Sequence, residues 1–164
     1  MTTPNPVTNM HLTVAAIIER NDGQMLLVTD DTSLGYKLNQ PAGHVEDGES
    51  IIDAVIRETK EECGLDFHPQ KIVGIYLYKL NPSNTYLRIC FKGTVDGDLD
   101  NPKPSPTDDG VIEAKWYSLG ELKLLKRHFR SDLVEKCIDD YTAGQEFDLS
   151  ILAPYQDQSN YDRS

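Results

Sequence analysis

Basic residues are in short supply. The 164-residue chain carries 16 Lys and Arg against 27 Asp and Glu, for a formal net charge of −11 and a pI near 4.7. Such a balance argues against a nucleic-acid backbone or an anionic membrane surface as partner. A small anionic molecule remains possible if a cation mediates. Cysteine is also scarce: Cys63, Cys90 and Cys137 are odd in number and widely spaced. They form neither a disulfide framework nor a metal-ligand spacing, and they read as small buried core residues. No apolar run reaches the length that spans a bilayer. Residues Met1 to Pro6 lack both the basic start and the apolar stretch of a secretory leader. A cytoplasmic location is therefore the expectation. The single Trp, Trp116, reads as core.

What the chain does have is a dense acidic segment over residues 43–65. Glu58, Glu61 and Glu62 fall at helical spacing, so they share one face of a helix. Like charges at that spacing cost a helix about a few tenths of a kcal/mol per pair. A chain that keeps them has a use for them, and three carboxylates suit a hard divalent cation, Mg²⁺ or Mn²⁺. Such a cation fills its remaining positions with phosphate oxygens. Ile51, Ile52, Val55, Ile56, Thr59 and Cys63 form the inward stripe of the same helix, expected over 50–63, with Gly64 as its left-handed stop. Glu49 and Arg57 stand about two turns apart and suit a bridge between loop and helix. Direct phosphate binding is the other reading of Arg57.

Around this segment the elements are mixed, without a βαβ rhythm or an internal repeat. Residues 1–10 read as a loose arm, 11–152 as one domain, and 153–164 as a polar tail. His11–Glu19 and Gln24–Val28 read as strands joined into a hairpin by Asn21-Asp22-Gly23. Asp30 to Tyr36 reads as a polar loop. Lys71–Leu80 and Tyr86–Val95 read as a second strand pair, and Val111–Tyr117 as a further strand. Asp96 to Gly110 is a loop longer than most connections, which makes it mobile or functional. Ser118 caps a short helix through Lys126, and Ser131 caps a longer one through Thr142, stopped at Gly144. The class expected is α+β, a mixed sheet with helices on both sides.

Gly43, Glu49, Arg57, Glu58, Glu61, Glu62, Gly64 and Leu65 match, position by position, the signature box of the Nudix hydrolases, which this chain resembles. Seven fixed residues, each at a frequency of roughly one in 15, coincide by chance about once in 10⁸ placements. Thr59 departs from the box, being polar where an aliphatic residue is usual. The resemblance implies an α/β/α sandwich and hydrolysis of a small-molecule phosphoanhydride. It implies Mg²⁺, with Mn²⁺ as the alternative, on Glu58, Glu61, Glu62 and the backbone carbonyl of Ala42. There the cation would neutralise transition-state charge and acidify a bound water. Glu58 is the implied general base, Arg57 acts beside it, and Gly43, Glu49 and Gly64 are scaffold. Asp108 or Asp109, with Glu113 behind them, is implied as a further ligand or base.

Motifs outside the box are similar to those of the bacterial NudJ-type phosphatases. They include Asn39-Gln40-Pro41-Ala42-Gly43-His44, Gly74-Ile75-Tyr76 and Tyr86-Leu87-Arg88. That group implies nucleoside di- and triphosphates, or hydroxymethylpyrimidine diphosphate, as substrates, with orthophosphate released. Asn39, Gln40 and Arg88 are the candidate substrate contacts. Asn39 and Gln40 could equally shape the loop, and Arg88 could equally be a solvated strand-face charge. Tyr76 and Tyr78 could stack on a base or simply pack, and His44 reads as loop-fixing. Two other classes stay open: a Nudix pyrophosphatase of another nucleoside-diphosphate substrate, and a non-catalytic binding module on the same fold. Monomer and homodimer are both open.

Overall fold

Strand β1 (Met10–Ile18) is apolar on both faces, and that decides the layering. In the computed structural model, which describes residues 3–5, 7–105 and 110–152, Val14, Ala16 and Ile18 enter one core cluster while Ala15 and Ile17 enter another. Successive side chains of a strand point to opposite faces, so both faces need a cover. Helix α1 (Ile51–Cys63) supplies Ala54, Val55 and Cys63 to the first cluster. Helix α3 (Asp132–Thr142) supplies Val134, Cys137 and Ile138 to the second. The product is the expected α/β/α sandwich. All three cysteines are buried and none is disulfide-bonded.

The strands form two sheets. One has the order β4 (Ala42–His44), β1, β6 (Asn84–Asp96), β5 (Asp66–Asn81), β8 (Phe147–Asp148). Within it β1 and β6 run parallel and the other pairs antiparallel. The second sheet has the order β3 (Gly35–Asn39), β2 (Met25–Thr32), β7 (Val111–Tyr117), antiparallel throughout.

Two sequence expectations fail here. Asn21-Asp22-Gly23 does turn, with the Arg20 amide donating to the Gln24 carbonyl at 2.9 Å. Yet β1 and β2 are not a hairpin: one bridge, Glu19 with Met25, joins them before they part into different sheets. The competing partner of β1 is β6, paired along the whole strand from Met10↔Thr85 to Ile18↔Gly93. A local turn signal carries no information about a partner 75 residues away. Likewise Asp30–Tyr36 is not a loop. Strand β2 runs on to Thr32 and returns as β3 at Gly35, with the Thr32 hydroxyl donating to the Gly35 carbonyl at 2.6 Å. The polar residues there are tolerated in a strand because Asp30, 7% exposed, is paired with Arg130.

The long connection after β6 is pinned where it is described. The Trp116 indole donates to the Leu99 carbonyl at 2.7 Å. Lys103 and Ser105 donate their amides to the carbonyls of Cys63 and Glu61 in the last turn of α1, which a helix end leaves without internal partners. The helix after Ser118 is shorter than expected: α2 (Leu119–Leu124), closed by a Ser118/Glu121 capping box and followed by a 3₁₀ turn at Lys126–His128. Strand β8 is too short to leave a sequence pattern. Among the described residues no helix is long and apolar enough to cross a membrane.

Helix α1 begins at Ser50, whose side chain accepts from the Asp53 amide, and ends at Gly64 with φ +71°. Thr59 fits the box because its hydroxyl donates to the Val55 carbonyl at 2.8 Å, leaving its methyl for the core. A side chain at Gly64 would meet two obstacles. The left-handed conformation costs a residue with a Cβ about 1–2 kcal/mol, and that Cβ would stand 3.1 Å from the Lys103 carbonyl. Gly64→Ala is expected to lower unfolding stability by about 1–2 kcal/mol, seen as a lower urea midpoint with an unchanged slope.

Candidate active site

One guanidinium organises the acidic segment. Arg57 Nε donates to Glu49 Oε2 at 2.7 Å, and Nη2 donates to Glu49 Oε1 and to the His44 carbonyl, both at 3.0 Å. Nη1 donates to Glu58 Oε1 at 2.9 Å and Glu61 Oε2 at 3.2 Å. A single side chain thus ties the loop before α1, the end of β4 and the helix itself. The bidentate grip on Glu49 is the geometry that the planar guanidinium suits best. Hydrogen bonding from Arg57 holds the Glu49 carboxyl below the ordinary carboxylate range, and Glu49 in turn raises the Arg57 pKa further.

The expected crowding of three repelling carboxylates is not what forms. Arg57 bonds both Glu58 and Glu61. Glu62, 4% exposed, accepts the Ala42 amide at 2.9 Å. Glu58 lies against Gly43 so closely that a Cβ at Gly43 would stand 2.2 Å from its carboxyl carbon. This close approach is why the box opens on glycine. Among the described residues no three Asp, Glu, His or Cys side chains are gathered as a ready-made metal cluster. The donors nonetheless fit a hard cation in kind: Glu58 and Glu62 edge one cavity beside Ala42, and all offer oxygen. Glu61 is about half exposed and lies off the cavity wall.

That cavity encloses about 330 Å³ between β4, α1 and the start of α3. Asn39, Arg88, Tyr78 and Tyr86 line the same cavity. Arg88 is buried, not solvated, and it donates to Asn39 Oδ1 at 3.3 Å and Gln40 Oε1 at 3.1 Å. Gln40 sits behind the wall, its amide nitrogen donating to the Val134 carbonyl at 2.9 Å. Tyr76 is not on the cavity wall, and it donates its hydroxyl to Asp140. Glu113 is exposed on β7 and off the cavity wall, while Asp108 and Asp109 lie outside the described residues.

Sequence reasoning missed two features of this wall. Arg130 reaches Asp30 at 2.7 Å across 100 residues of chain; a buried Asp in an apolar strand is the one signal that could have suggested it. His11 stacks on Tyr86 and meets His44 at 3.0 Å between ring nitrogens. This contact joins β1, β4 and β6 beside the cavity, which His44 and Tyr86 line.

The NUDIX domain family model matches residues 9–137. The chain belongs to the Nudix family. It is 30% identical over 146 residues to the Phosphatase NudJ of Escherichia coli K12, covering 88% of this chain and 92% of that one. The solved NUDIX hydrolase from Nitrosomonas europaea superposes with a TM-score of 0.80 at 40% identity, covering 92% of this chain and 99% of the other. The MutT protein from Methanosarcina mazei Go1 gives 0.68 at 25% identity, over 86% and 99% of the two chains. The protein is thus a Nudix hydrolase acting on phosphorus-containing acid anhydrides. Nudix enzymes generally use divalent metals.

The Arg57–Glu49 bridge has a pH signature. The folded-state pKa of Glu49 is depressed, so its stabilisation is fully present above the ordinary Glu value of about 4.3. It is lost as pH falls through the lower folded value. The stability gap between wild type and Glu49→Gln should be constant near neutrality and close in acid, measured as urea midpoints across a pH series. A gap that persists unchanged however far the pH is lowered through the acid range would rule out the ionised bridge as its source.

Proposed function

We propose that this Nudix hydrolase is Mg²⁺-dependent, with Mn²⁺ as a substitute. Its substrates on this reading are nucleoside di- and triphosphates, or a related organic diphosphate such as hydroxymethylpyrimidine diphosphate, and it releases orthophosphate. One observation carries the catalytic part: Glu58 and Glu62 edge the same cavity, held there by Arg57 and by the Ala42 amide. Similarity to Phosphatase NudJ along most of both chains supports orthophosphate as the product. The cation, held by Glu58, Glu61, Glu62 and the Ala42 carbonyl, would supply charge neutralisation at phosphate oxygens and a more acidic water.

The rest falls to the protein. Arg57 fixes the Glu58 carboxylate through Oε1, and on this reading Glu58 would take the proton of the attacking water. Positioning of this kind matters because an error of about 1 Å costs roughly 10²-fold in rate. The cavity walls keep the diphosphate against the carboxylates. The aromatic side, Tyr78 and Tyr86, offers flat apolar surface to a base or pyrimidine ring.

The deciding experiment is phosphorus-31 NMR of the products from several nucleotides and organic diphosphates in ¹⁸O-water. The expected result is ¹⁸O-labelled orthophosphate, with turnover abolished by excess EDTA. Pyrophosphate with a nucleoside monophosphate would overturn the phosphatase assignment, and full turnover in EDTA would overturn metal dependence. Glu58→Gln should lower kcat by about 10²–10⁴-fold with little change in KM, as loss of a general base does. If Glu58→Gln stays near wild type while Asp109→Asn loses its turnover, the base belongs to the 96–110 connection.

A further inference from the structure

The two arginines on the cavity wall are in opposite electrostatic states. Arg130 is half exposed and neutralised by Asp30 at 2.7 Å. Arg88 is 8% exposed, and its partners are the neutral side-chain oxygens of Asn39 and Gln40. Its Nε–H is buried with no acceptor at all. Among the described residues no carboxylate pairs with it. Burying a charge without a counter-charge is expensive, and a guanidinium never escapes by losing its proton. The neighbouring Cys137 thiol has its pKa lowered mainly by its hydrogen bond with Cys90, and further by Arg88.

The surroundings hold this cation rather than hide it. On β6, Arg88 lies in register with Thr13 of β1 and Tyr76 of β5, so it stands in the middle of a sheet and not on an edge. Gln40 is anchored at its other end on the Val134 carbonyl, so the α3 layer braces the guanidinium from behind. Five donors in a planar fork are matched to phosphate, and here two of them are fixed by amides that add no negative charge. Glu58 and Glu62 face the same cavity.

We infer that Arg88 is a metal-independent anion subsite of the cavity, which grips a phosphate group of the substrate while the carboxylate side holds the group being hydrolysed. The phosphate chemistry of the ligand rests on the hydrolase reading above; the need for an anion rests on Arg88 alone. It makes Arg88 a substrate-binding residue that selects for a second anionic group over a lone phosphate ester.

The test uses the full chain and methylenediphosphonate, a diphosphate that cannot be hydrolysed, in excess EDTA. Isothermal titration should show binding to wild type. Arg88→Gln should weaken it about 10- to 100-fold, as loss of charge-assisted hydrogen bonds does, and Arg88→Lys by less. Arg127→Gln makes the same change of charge at an exposed position and should bind as wild type does. The Arg88 Nε–H resonance of the unmutated protein should shift and exchange more slowly with solvent on titration. This reads the contact even if a variant fails to fold. No binding to wild type in EDTA, equal weakening by Arg127→Gln, or an unmoved Nε–H signal would each overturn the proposal. If Arg88-dependent binding is found but no nucleotide is hydrolysed with Mg²⁺, the anion subsite stands and the hydrolase substrate reading falls.

Discussion

The Arg57 guanidinium is the constraint on which the candidate site depends. The Glu49 and Glu58 side chains are 13% and 14% exposed, too sheltered to carry charge cheaply without a partner. Both find it in one side chain that is itself only 23% exposed. Such a hub need not add much net stability, because desolvating the ions offsets their attraction. Its effect is to leave few arrangements open. With the loop, β4 and α1 all tied to one rigid fork, Glu58 cannot drift relative to Gly43, and Glu62 keeps its bond to Ala42. Lysine keeps the charge but lacks the fork, so it could not hold Glu49 at both oxygens.

The sandwich makes that arrangement possible at a definite place. Strands buried on both faces demand a helix on each side, and α1 is one of them. Its inward stripe fixes its rotation about its own axis: with Ala54, Val55 and Cys63 in the core, Glu58 and Glu62 are carried to the cavity edge and Glu61 toward solvent. The C-terminal end of α1 is tied by amides from residues 103 and 105, and its N-terminal end by Ser50. Packing, capping and the Arg57 bridge thus agree on one position for the carboxylates.

Much of this was legible in the sequence because it is local. Ser50, the apolar stripe, Gly64 and the Glu49–Arg57 spacing all lie within 16 residues, and each acts through neighbours along the chain. Strand β7 matches its expected bounds, Val111–Tyr117, for the same reason, since its alternating pattern is self-contained. What was not legible is non-local. A β1–β2 hairpin is what the local turn signal favours, and it loses to a parallel pairing with β6. Asp30 looked like a loop residue because its counter-charge, Arg130, is 100 residues away. Asn39 and Gln40 were legible as candidates for site residues, but not as the pair that holds Arg88.

Charge placement ties the rest together. A chain with net charge −11 repels phosphates at long range, so attraction has to be built at short range. On the proposed reading that role is divided between carboxylates suited to a bridging cation and a buried arginine given no carboxylate of its own. The division is economical of specificity. A cation-bridged site alone responds to any phosphate oxygen, whereas a fixed guanidinium on the wall of the same cavity would reward a ligand with anionic groups at two places. Because the surface is acidic, a ligand held by only one of the two sites gains little from the rest of the protein. On the proposed assignment of Arg88, selection for diphosphate-containing molecules would follow from where the charges are, before any contact with a base or sugar is counted.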